Sequence, residues 1–209
     1  MGERRPRAST EPGRAEVYCL FAIREYNTSM QLKPQDLLVA LKLSLAHDEA
    51  WTYGSLAVEL GMSASEVHHA VGRATAAGLL FVDPRDASGG RNRLQHKANR
   101  KALVEFLVHG LRYVFMAERG GEVRGMPTSH AAPPLKSKIV QDGGAPPVWA
   151  TPEGTVRGWA VAPLYRSAPF AAEKDPALYE LLALVDALRI GQTRERALAA
   201  AEIEKRLAA

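Results

Sequence analysis

Cysteine is almost absent from this chain. Cys19 stands alone among 209 residues. That excludes an intramolecular disulfide framework and a multi-cysteine zinc site, and it fits a reducing, cytoplasmic setting. Long apolar runs are missing too: none approaches the ~20 residues that span a bilayer, so no membrane partner is expected. Met1 to Arg14 (MGERRPRASTEPGR) is charged and lacks the apolar stretch of a signal peptide. There is no phosphate-binding GxxxxGK[ST] loop, and no GxGxxG, HExxH or GxSxG. The histidines are scattered, and the adjacent pair His68 and His69 would point about 100° apart on a helix, too divergent to chelate one metal. No paired carboxylates mark a cleft, and no internal repeat is visible. Catalytic residues, metal ligands and cofactors are therefore all expected to be none, and an enzyme is the least favoured class.

What is present is a core and a mild positive charge. Hydrophobic residues make up 46% of the chain and the formal net charge is +4. A sequence pI near 9.3 permits a nucleic-acid partner without requiring one. The most informative stretch is Thr52 to Leu80, TYGSLAVELGMSASEVHHAVGRATAAGLL. It predicts a helix over Tyr53 to Leu60, opened by Thr52, and a turn at Gly61. A second helix then starts at Ser63, with Glu66 three residues on as a capping box. Gly78 closes it. Val67, Ala70, Val71 and Ala74 form a narrow inward stripe. Ser65, His68, His69, Gly72 and Arg73 form the other face, polar, compact or basic, as a helix entering the major groove requires.

Beyond Gly78, Leu79 to Val82 suits a strand, Asp83 to Gly90 is dense in turn residues, and Arg91 to His96 returns as a polar strand. Arg85, Arg91 and Arg93 lie at or near the tip of that hairpin. Helix, helix, hairpin in this order resembles the winged helix-turn-helix of MarR-like bacterial transcriptional regulators. The matching elements are ELGMSASEVHHAVGRATAAGLL and the wing with its Asp and Arg residues, and the resemblance covers about Pro34 to Leu111. It implies a homodimer on double-stranded DNA. Those regulators flank the winged domain with long dimerising helices and little else, whereas here a proline-rich segment intervenes.

The expected fold is mainly α with a small β-hairpin wing. Residues 1–29 read as an N-terminal extension, partly disordered, and 30–117 as the winged helix-turn-helix domain. Within the latter, Pro34 to about Ala46 is a support helix with leucines at helical spacing. Asn99 to Phe115 is a helix apolar nearly all round, which implies burial on several sides. Residues 118–172 hold most of the thirteen prolines and read as an extended segment. One strand is expected over Thr155 to Val161, and Trp149 and Trp159 argue that the segment is ordered. Residues 173–209 form a helical pair for dimerisation or partner docking, with starts at Asp175-Pro176 and Thr193.

The function expected from these residues is a sequence-specific DNA-binding transcriptional regulator acting as a homodimer. Ser65, His68, His69 and Arg73 would read base edges, while Arg85, Arg91 and Arg93 would contact the backbone. The alternative is a DNA-binding antitoxin or adaptor whose C-terminal half binds a protein partner.

Overall fold

The computed structural model describes residues 31–46, 51–82, 96–139 and 143–208. Helix α1 (Pro34–Leu45) starts with Pro34 in its first turn, where a missing N–H costs nothing. Asp36 accepts the Lys33 amide at 2.8 Å, tying the first turn to the residue before it. Five successive residues, Leu37 to Leu41, are fully buried, so α1 is an interior helix with no free face along that stretch. Helix α2 (Tyr53–Leu60) opens as expected: the Thr52 hydroxyl accepts the Ser55 amide at 3.0 Å. It ends at Gly61, whose φ of 62° is left-handed and therefore suits glycine. Helix α3 (Ala64–Ala76) carries the full capping box. Ser63 Oγ accepts the Glu66 amide at 3.2 Å, and the Glu66 carboxylate accepts the Ser63 amide at 2.9 Å.

Strands β1 (Leu80–Val82) and β2 (His96–Ala98) pair antiparallel, with Leu80 opposite Ala98 and Val82 opposite His96. The described return strand, His96–Ala98, takes up the last residue of the expected one; residues 91–95 lie outside the described residues. Helix α4 (Arg100–Glu105) is capped by Asn99. It continues without a break through a π-helical turn, Phe106–Gly110, into α5 (Leu111–Val114). The expected burial on several sides is not what forms. Leu103, Leu107 and Leu111 make one buried line, while Tyr113 and Val114 stand exposed.

The proline-rich segment is more ordered than an extended stretch with one strand. Strand β3 (Arg119–Pro127), unforeseen, pairs antiparallel with both β4 (Pro147–Ala150) and β5 (Val156–Val161). Strands β4 and β5 pair parallel, so the three close on one another. Pro127 ends β3 and Pro147 begins β4, positions where a missing ladder donor is tolerated. Closure depends on bare backbone. A Cβ on Gly125 would sit 1.9 Å from the Trp149 carbonyl oxygen, and one on Gly158 equally close to that of Pro146. A short helix α6 (Ala168–Lys174), also unforeseen, leads into α7 (Pro176–Ile190) and α8 (Thr193–Leu207), which run as the sequence predicts.

Leu32–Ala209 make one unit, and its apolar core crosses the boundaries expected at 117 and 172. Helix α7 is its axis. Leu181 to Leu188 are all buried, and the helix packs on α1, α5, α6 and α8. The apolar face of this helix, expected to serve dimerisation or partner docking, is therefore covered by this chain itself. At the centre, the buried Asp186 carboxylate accepts from Trp149 Nε1 at 2.6 Å, Thr128 Oγ1 at 2.8 Å and Arg189 Nη1 at 2.7 Å. Burial pushes its carboxyl above the usual carboxylate range, against the pull of those donors. Arg189 also donates to the carbonyls of Phe115 and Ala162, joining α5 and β5 to the same node. Trp149 is 1% exposed and Trp159 half-buried, in keeping with the ordering that the tryptophans imply.

Candidate nucleic-acid interface

Helix α3 has two faces because its apolar residues keep helical spacing. Val67, Ala70, Val71 and Ala74 are buried against α1 and α2. Ser65, His68, His69 and Gly72 are exposed together on the opposite side. His69 is oriented by its own helix. Its Nδ1 lies 2.8 Å from the Ser65 carbonyl oxygen, which can only accept. Nδ1 therefore carries the proton of the neutral ring, which leaves Nε2 as its acceptor. His68 packs edge-on against Tyr53 of α2, with ring centroids 5.1 Å apart, and Tyr53 packs in the same way on Trp51. Those stacks fix one flank of the exposed face.

Arg73 is the correction. The expectation placed it on the outward face as a base reader. The structure turns it back across α1, where Nη2 and Nε donate to the two Asp36 oxygens at 2.6 and 2.8 Å. Asp36 is fully buried and the Arg73 side chain only 15% exposed. A buried carboxylate needs a fixed cation, and the planar guanidinium meets it with two parallel bonds. Arg73 thus locks α3 to α1. Helical spacing had placed it on the outward face, and nothing local signals a partner 37 residues away.

The N-terminal end of α3 has a second tether that sequence reasoning missed. Glu66 turns its other oxygen, Oε1, to Tyr165, whose hydroxyl donates at 2.9 Å, and to Arg166 Nη2 at 3.3 Å. The Ser63 amide first, then the Tyr165 hydroxyl, hold the Glu66 carboxyl down at about 2. Phe170 of α6 lies against Gly61 in the turn between α2 and α3, with an added Cβ only 2.7 Å from its ring. Lys174 lies over the Phe170 ring, 4.0 Å from its centroid. The α2–α3 corner therefore rests on the segment running into α6. Nothing in the sequence around Tyr165 or Phe170 marks either as a partner of the α2–α3 corner.

Arg85, Arg91 and Arg93 lie outside the described residues. A cavity of about 330 Å³ opens beside Trp51, between α1, α2 and the start of α7. Its cation, Lys42, is already held by Glu59 at 2.8 Å and Asp175 at 2.7 Å. Burial opposes the Lys42 charge, and those two carboxylates outweigh it to raise its pKa. Among the described residues, no group of three or more His, Cys, Asp or Glu side chains is placed to hold a metal, and no helix is long and apolar enough to cross a membrane. Comparison with protein-family models, curated proteins and solved structures gives no match to this chain.

Proposed function

We propose that this protein is a sequence-specific DNA-binding transcriptional regulator, cytoplasmic and homodimeric, with α2, α3 and the β1–β2 sheet working as a winged helix-turn-helix. The observation that carries this reading is the free face of α3. Ser65, His68, His69 and Gly72 are exposed on a helix otherwise pinned by Arg73–Asp36, Glu66–Tyr165 and its apolar stripe. A rigid helix with a compact polar face suits insertion into a major groove, because base reading needs side chains held in a fixed register. Ser65, His68 and His69 supply the base-edge contacts. Arg85, Arg91 and Arg93 supply phosphate contacts from the wing.

Selection of bound sequences from a random duplex pool tests this directly. A recovered motif, lost on replacing His69 and Ser65 with alanine, is the expected result. A pool left unenriched by the wild-type protein defeats it. A second reading has its own observation. Tyr113, Val114 and Met116, at and just past the end of α5, are 72%, 55% and 78% exposed. Grouped exposed apolar side chains mark an interaction surface. We assign it to the homodimer; in the alternative it receives the protein partner of a DNA-binding antitoxin or adaptor. Light scattering on purified protein separates the two, since the homodimer has twice the 22.7 kDa chain mass.

A further inference from the structure

The winged helix-turn-helix reading assigns DNA contacts only to α3 and the wing. The geometry points to one more, from the C-terminal half: we infer that Arg166 contacts a DNA backbone phosphate beside the groove that α3 enters. The inference rests on the DNA-binding reading above.

Arg166 sits next to the N-terminal turn of α3, joined to Glu66, one residue from the exposed Ser65. Its side chain is 76% exposed, and its ion pair with Glu66 is a long 3.3 Å contact. A guanidinium carries five donors in a planar fork that matches phosphate oxygens. Its place is well defined. Its guanidinium lies over the neighbouring Tyr165 ring, 5.6 Å from the centroid, and the Tyr165 hydroxyl is bonded to Glu66. The charge logic runs the same way. The capping box puts a carboxylate at the end of α3, and Glu66 stays ionised down to about pH 2. An anion there repels a phosphate backbone. Arg166 and Tyr165 are the groups that offset it. Lys174, the other exposed cation of this segment, is instead engaged with the Phe170 ring and the Val58 carbonyl.

The test is a set of binding titrations with the full chain on a selected duplex and a random one, from 0.1 to 1 M salt. Arg166→Ala should lower the salt slope by about 0.9. That corresponds to roughly eightfold weaker binding at 0.1 M, equally on both duplexes. Arg166→Lys should restore the slope. To separate contact from mere masking of Glu66, the same substitution is made in a Glu66→Gln background. A phosphate contact predicts the same slope loss there. An arginine that only masks the carboxylate predicts no further loss in that background, and this overturns the inference. So does an unchanged slope for Arg166→Ala while the wild type binds. Failure of the wild type to bind any duplex is a different result, and it defeats the DNA-binding reading itself.

Discussion

Replacing Arg73 with alanine should damage the fold before it damages any DNA contact. The substitution strips the two Arg73 donors from Asp36, which is fully buried and keeps, among the described residues, the Lys33 amide. Breaking a buried ion pair by removing one partner costs about 3–5 kcal/mol, chiefly because the surviving charge is stranded. Arg73 retains some exposure and Lys33 still donates, so the lower end applies, about 3 kcal/mol. For a unit of this size each kcal/mol shifts the melting temperature by roughly 2–4 °C, so Tm should fall by roughly 6–12 °C. Restoring shape without charge should recover most of it. The double variant Asp36→Leu/Arg73→Leu removes both partners, and such apolar replacements are often near neutral. Thermal melts followed by circular dichroism read the effect, with DNA affinity measured in parallel. A base-reading Arg73 predicts the opposite pattern: no change in Tm and a loss of about 1–3 kcal/mol at the preferred sequence alone. That outcome would refute the structural role assigned here.

Three further outcomes are expected. Glu66→Gln should lower Tm at neutral pH. Because the folded carboxyl is depressed to about 2, its stabilisation is present above the ordinary value near 4.5 and is lost as pH falls toward 2. The gap between wild-type and variant melts should therefore close across that window, and a gap independent of pH would contradict the Glu66 contacts. Gly125→Ala should destabilise by about 3 kcal/mol or more, since its Cβ meets the Trp149 backbone and not a movable side chain; a parental urea midpoint would contradict the closed three-strand arrangement. Tyr113→Asp combined with Met116→Asp should convert the proposed dimer to monomer in light scattering without lowering Tm. A dimer that survives places the contact elsewhere.

The local signals were the most legible part of this chain. Ser63 with Glu66, Thr52 before Tyr53, Pro34, Asp175-Pro176 and Gly61 each act through neighbouring backbone groups, so their spacing alone marks the helix ends. The alternation of Val67, Ala70, Val71 and Ala74 with Ser65, His68 and His69 likewise sorted the faces of α3. Pairings over long separations were not legible. Strand β3 has a sequence rich in glycine and charge, RGGEVRGMP, and is a strand only because two others pair with it. Prolines suggested an extended segment, yet Pro127 ends β3 and Pro147 begins β4. Arg73 and Tyr165 carry no mark of Asp36 or Glu66 in their own neighbourhoods. The C-terminal helical pair was expected to dock a partner, but on α7 the cover comes from within the same chain.

The burial of α7 on all sides bears on how this protein can be cut and recombined. Many chains are built of modules that can be cut out and grafted onto others. Here the support helix α1, the line Leu103–Leu107–Leu111 and the strands around Trp149 share one interior with α7. A fragment ending at residue 117 would expose the apolar faces of α1 and α4 that the C-terminal half now covers. Residues up to 117 are therefore not a portable module, and the natural seams of this chain lie at surface loops, not between its two halves.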